Sequence, residues 1–329
     1  MRENNERIGE DQLIASLKCG MKIDHAPKDE HKRGKDKMPY EKVTRRDFLK
    51  SAVAGAAGLA ICGPKAIAAE KPKAGAKSIV AIARAANVLD ENLQVNKQSA
   101  AAILRQAVAA AVETKTSQDA WKKLIKPTDI VGIVTSKAVN PTHMELADII
   151  KEDLMALGVP EANIRLPQRD VEAVKECTAL IALPGLKAHW LTGLGTVLKL
   201  YIMYSGKPSE YHNENSVKLG EIWNLDFIKG KTKMVIIDAL RPLCDKGPQP
   251  DPRYMWNYSG IIASTDPVAA EAVGLKIIQA KRDEIKGEPW PLSPPPLCVE
   301  AADKQYGLGT CNFDRIRIVK SGPTEGMLV

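Results

Sequence analysis

After residue 69 the chain repeats one pattern: a short run apolar at successive positions, then a longer stretch with apolar residues every three or four. Val131-Gly132-Ile133-Val134, Ala179-Leu180-Ile181-Ala182-Leu183 and Met234-Val235-Ile236-Ile237 are runs of the first kind. A strand without polar alternation has both faces buried, as in a parallel sheet covered by helices. Strands are therefore expected at 78–86, 129–135, near Ile164, at 179–183, 234–238, 260–264 and near Ile316. Helices are expected at 99–112, 142–157, 193–203, 267–280 and 299–306. Asp266 and Pro267 suit the N-cap and first position of the fourth. The reading is a single α/β domain over 69–329, with a mostly parallel sheet and helices on both faces. Pro289-Trp290-Pro291 and Pro294-Pro295-Pro296 make a stiff loop between the last two helices that cannot join a ladder.

Composition is that of a globular chain, 44% hydrophobic and 26% charged. The formal charge of +7 is concentrated at the start. Residues 1–68 hold 14 Lys and Arg against 10 Asp and Glu, which leaves about +3 for the rest. That balance gives no basic footprint for nucleic acid. Of six cysteines, Cys177, Cys244, Cys298 and Cys311 lie in the domain, none at C-x-x-C spacing, so no iron–sulfur or zinc-ribbon motif is carried by local sequence. A Cys298–Cys311 disulfide and four buried free thiols both remain open.

The N-terminal segment carries the most specific motif. Thr44-Arg45-Arg46-Asp47-Phe48-Leu49-Lys50 fits the twin-arginine consensus and precedes an Ala- and Gly-rich run from Ser51 to Cys62. That run is shorter than the roughly 20 apolar residues of a membrane-spanning helix. It reads as the apolar region of a signal peptide over 44–68, with Ala66 and Ala68 as the small residues before a cut. Ile61 before Cys62 argues against a lipoprotein box. Residues 1–43 form a polar extension expected to be disordered, and Met38 is a second candidate start. The expected location is the periplasm, and the expected first partner is the twin-arginine translocase, which carries folded proteins.

The best candidate for chemistry is the block after strand 179–183. Lys187 and His189 lie past the C-terminal end of a buried strand, where ligands of open α/β sheets bind. Thr192-Gly193-Leu194-Gly195 is expected to open a helix whose free N–H groups attract an anion. Lys187 would supply charge, His189 a proton or metal bond, and Thr192, Gly193 and Gly195 anion contacts. The competing reading leaves Lys187 in solvent and His189 in the core. Asp238, at the end of another strand, joins Lys187 and His189 as a catalytic candidate. His189, His143 and Asp238 are also candidate ligands for a metal ion, since imidazole and carboxylate suit Zn, Fe or Mn. His212, Asp245 and Asp266 are further members of that pool, with His212 expected to be exposed and Asp266 sufficiently explained as a cap. Gly193 and Gly195 lack the third glycine of a dinucleotide fingerprint.

Several of these segments recur together in a known family. They are Val131-Gly132-Ile133-Val134 with Asn140 and Thr142-His143, Leu183-Pro184-Gly185-Leu186-Lys187-Ala188-His189 with Thr192-Gly193, Asp238 before Gly247-Pro248, and Ile261 to Ala269. In them, residues about 131–319 resemble the family catalogued as domain of unknown function 362. The resemblance implies relatives with twin-arginine leaders or appended ferredoxin modules, the latter absent here. Thr135 and Ser136 stand where relatives commonly have Lys and Asn, Leu200 follows Lys199 where they tend to have Asn, and Glu271 replaces Asp. Two functions are compatible: a metal- or cofactor-dependent enzyme or redox accessory with a redox partner protein and a small anionic ligand, or a non-catalytic periplasmic binding or assembly protein.

Export supplies the first test. The translocase reads the guanidinium pair and not charge alone. Changing both Arg45 and Arg46 to Lys is expected to leave full-length precursor in the cytoplasm on fractionation, and unaltered maturation with Ala69 at the N-terminus would contradict the leader.

Overall fold

A computed structural model describes residues 77–137 and 139–329. The expected leader, with Arg45, Arg46, Ala66 and Ala68, lies outside the described residues. The described residues belong to one compact unit. Its strands are β1 (Ser78–Arg84), β2 (Val131–Thr135), β3 (Ile164–Arg165), β4 (Ala179–Leu183), β5 (Gly185–His189), β6 (Gly193–Leu194), β7 (Thr232–Leu243), β8 (Gly260–Ser264) and β9 (Ile316–Ser321). The helices are α1 (Lys97–Ala111), α2 (Ser117–Leu124), α3 (Met144–Ala156), α4 (Val171–Glu176), α5 (Leu219–Trp223), α6 (Pro267–Lys286) and α7 (Cys298–Lys304). Among the described residues no helix is long and apolar enough to cross a membrane.

The sheet runs β3-β2-β4-β7-β8-β1-β9, with β5 on β7 and β6 on β5. Every pairing is parallel except those made by β8 and β6. The expected mostly parallel α/β domain is what the chain forms. β8 runs antiparallel because the link from β7 holds only a 3₁₀ turn at Pro252–Tyr254 and no crossover helix.

Alternate residues of each strand enter different cores. Val80 and Ile82 of β1 pack with α4, α5, α6 and α7, whereas Ala81 and Ala83 pack with α1, α2 and α3. Helices therefore cover both faces. Asp266 anchors one of them: its carboxylate accepts from Val268 N and Ala269 N at the start of α6 and from Ser78 Oγ and Thr310 N beyond it.

Two departures from the sequence reading fall around the candidate site. The strand expected at 179–183 forms with those bounds as β4, but a second strand follows it where none was expected. Pro184, with no N–H, interrupts the ladder, and β5 resumes on the distal half of the 12-residue β7, with Asp238 N donating to Pro184 O at 2.8 Å. Residues 193–203 are not an α-helix. They form β6 and a series of three-residue turns, in which Leu200 N, Ile202 N and Tyr204 N donate to Val197 O, Lys199 O and Tyr201 O. Successive turns of that kind still bury Leu194, Val197, Leu198, Tyr201 and Ile202, which is why the apolar spacing resembles a helix. Of the two readings left open for the cysteines, the free-thiol one holds: Cys177, Cys244, Cys298 and Cys311 are all free, with Cys311 only half-buried and its Sγ 3.4 Å from Asp303 Oδ2.

Candidate functional site

Beyond the C-terminal ends of β2 and β4 the chain encloses a cavity of about 200 Å³. Thr135, Ser136, Lys137 and Val139 form one wall, Gln168 and Arg169 a second, Lys187 and His189 the floor, and Gly195 to Met203 with Pro248 the remainder. Lys137, Arg169, Lys187 and Lys199 all line it, and among the described residues no Asp or Glu does. Lys137 and Arg169 are exposed at the rim, where Lys137 Nζ donates to Gln168 Oε1. Lys187 and His189 are 5% and 7% exposed, and Lys199 is half-buried.

Lys187 is held by backbone. Its Nζ donates to Asn140 O at 2.8 Å and Val139 O at 3.3 Å. Those carbonyls are presented by consecutive residues in left-handed backbone, Val139 at φ 48° and Asn140 at φ 52°. For a β-branched residue that conformation is strained. Burial pushes the Lys187 ammonium down to about 8, with Asp238 opposing and Lys199 adding to the shift. Burial alone pushes Lys199 to about 8.

His189 is neutral. Burial first, then the charges of Lys199, His212 and Lys187, push it down to about 3. Leu191 N donates to its Nδ1 at 3.1 Å, so the ring proton is on Nε2. The ring stacks on His212 at 5.7 Å between centroids and lies near Trp190, which is 60% exposed. Gly195 permits the ring to sit there: a Cβ would meet His189 Cβ at 3.0 Å.

The turn that carries Lys199 is braced from behind by a buried acid. Glu271 of α6 accepts from Val197 N at 2.6 Å, and its other oxygen, Oε1, has no hydrogen-bond partner. Of the amides that follow Thr192, that of Gly195 donates to Lys187 O and that of Val197 to this internal carboxylate, and the segment begins no helix. Burial raises Glu271 to about 8 against the Val197 and Leu198 amides.

The other predicted site residues are placed elsewhere. Thr192 is fully buried and donates to Leu194 O at 2.6 Å. Gly193, at φ 72°, packs under Pro294 and Pro296 and borders a neighbouring cleft. Asp238 lies inside β7 and accepts from His143 N and His143 Nδ1, both at 2.8 Å, and from Leu240 N at 3.1 Å. Burial lowers the His143 pKa, but the Asp238 bond and charge outweigh it, and the net direction is up. Among the described residues no three His, Cys, Asp or Glu side chains are grouped to hold a metal ion. His143 and Asp238 touch, and His189 does not complete a set with them. Asp245 is committed to Arg282 at 2.5 Å. A larger groove of about 850 Å³ lies between α6 and α7, away from these residues, and is lined by apolar side chains interspersed with charged and polar ones.

Lys199, Lys137 and Arg169 are the cavity residues that motif reasoning missed, along with His212 against His189. Lys199 lay within the helix expected at 193–203, which does not form.

The fold and cavity define a doubly covered α/β domain with a small cation-lined site at the strand ends. Residues 95–276, more than half of the chain, match the family model described as Domain of unknown function (DUF362), and the chain belongs to that family. The match begins before and ends before the span 131–319 expected from motifs, and contains every residue lining the cavity. Comparison with curated proteins and with solved structures gave no match.

Glu271 supplies a test with a defined sign. Its folded pKa of about 8 exceeds the roughly 4.3 of an unfolded Glu, so the folded state binds more protons between those values. Stability contributed by this group is therefore lost as pH rises through that window. Glu271→Gln removes that component: denaturant titrations are expected to show the variant gaining on the native protein from acid toward pH of about 8. A stability difference independent of pH would show that Glu271 titrates normally.

Proposed function

We propose that this is an exported protein of the periplasm whose domain binds a small, compact anion in the cavity between Lys187, Lys199 and His189. The observation that carries the reading is the company these groups keep: four cationic side chains line one cavity with no acid among them. Buried cations are ordinarily paired, because desolvation of an unpaired charge is costly. Lys187 has carbonyls as partners, and among the described residues no carboxylate raises the pKa of Lys199. A ligand carboxylate or phosphate supplies the missing charge. His189, neutral with Nε2–H free of the Leu191 contact, adds a hydrogen bond, and Arg169 and Lys137 gather anions at the mouth.

Size narrows the class. Pockets for drug-sized ligands occupy about 300–1,000 Å³. At about 200 Å³ this one suits an inorganic oxyanion or a short organic acid. The Arg45-Arg46 leader supports delivery of the domain already folded, with the site formed before export.

Calorimetric titration with inorganic phosphate and with oxalate tests the reading. One anion per chain is expected, with Lys199→Met weakening binding at least tenfold, about 1.4 kcal/mol. Lys137→Met, at a screened rim, is expected to matter much less and mainly at low salt. Equal binding by the native chain and Lys199→Met would move the anion elsewhere.

A further inference from the structure

We propose that Lys199 is a nucleophilic amine that forms an iminium with the carbonyl carbon of a small 2-oxo acid whose carboxylate is held by Lys187. The inference rests on the anion-binding reading and adds covalent chemistry to it. Two amines share one cavity of about 200 Å³, and their surroundings differ. Burial lowers Lys187 to about 8, yet its Nζ donates to two carbonyls and feels the charge of Asp238, both of which favour the ammonium. One N–H remains for a ligand oxygen. Lys199 is desolvated too, and the two ammonium charges oppose each other, but among the described residues its Nζ donates to no carbonyl and no carboxylate lines its cavity. Nucleophilic lysines are made in that way, by an apolar wall or a neighbouring cation.

The same geometry selects the ligand. A carboxylate on Lys187 and an electrophile at Lys199 must be close together in so small a space, as in an acid whose carbonyl adjoins the carboxylate. His189 adds a neutral Nε2–H donor to the cavity for the oxygen that becomes negative when the amine attacks. Its burial keeps it from acting as an imidazolium acid.

The step balances without an oxidant or reductant. The Nζ lone pair of Lys199 forms the N–C bond as the carbonyl π pair moves onto oxygen. One Nζ proton passes to that oxygen, giving a carbinolamine. A second proton, from solvent, lets the oxygen leave as water while the nitrogen lone pair forms the C=N bond. The product is a protonated iminium, an electron-withdrawing group for later chemistry at the adjacent carbon.

The test uses the full chain, glyoxylate as the probe and cyanoborohydride to trap the adduct, with peptide mapping by mass spectrometry. Near neutral pH an amine at about 8 holds on the order of a hundredfold more free base than an ordinary lysine at about 10.4. One reduced adduct is expected on Lys199, at least tenfold faster than on any other lysine, slowed by phosphate and by Lys187→Met and absent from Lys199→Arg. Should Lys199→Arg fail to fold, as shown by its melting curve, the native map decides alone. Labelling spread over exposed lysines at the same rate as on Lys199 would overturn the proposal. Phosphate titration of the same sample separates the two readings: stoichiometric phosphate without selective Lys199 labelling rejects the iminium alone, and loss of both rejects the anion site as well.

Discussion

Two ammonium groups withdrawn from water into one cavity are the constraint around which this part of the molecule is arranged. Moving a charge from water into protein costs several kcal/mol even after relaxation. The structure meets that cost for Lys187 with the carbonyls of Val139 and Asn140, presented by two successive left-handed residues. Each such conformation costs on the order of 1–3 kcal/mol and persists only where its surroundings enforce it. An acid in the wall would have been a simpler partner for both lysines. Its absence leaves the cavity able to hold an external anion.

The fold makes the arrangement through a displaced strand. β4 is buried on both faces and uniformly apolar, as a central parallel strand must be. Past Pro184 the chain shifts onto the distal end of β7, beyond the reach of β2, and there Lys187 and His189 project opposite to Leu186 and Ala188, which enter the core with α6. The turn bearing Lys199 is then closed over them by Gly195, which admits the His189 ring, and by Glu271, which binds the Val197 amide from the α6 side. Asp238 has a separate task. It ties His143, at the entrance to α3, to β7 and fixes the wall that follows β2.

Much of this was legible in the residues. Uniformly apolar runs located β2, β4, β7 and β8, and the Asp266-Pro267 pair located the start of α6 because cap chemistry is local. Lys187 and His189 were legible as a pair at a strand end. β5 itself could have been found from the alternation of Leu186 and Ala188 with Lys187 and His189, which Pro184 and the charged positions disguised. The turns at 194–202 were not separable from a helix, since both bury residues at spacings of three and four. The contacts of Lys199 with this cavity, of Glu271 with Val197 and of His212 with His189 join segments far apart in the chain, and no local spacing encodes them.

Whether a ligand supplies the charge missing from the cavity is tested by a crystal structure of the protein grown with tungstate, a heavy oxyanion whose anomalous scattering identifies it without ambiguity. A single strong anomalous peak is expected within hydrogen-bond distance of Lys187 Nζ, Lys199 Nζ and His189 Nε2. A cavity without such a peak, or with a carboxylate of the protein's own turned in to meet Lys199, would contradict a ligand-supplied charge.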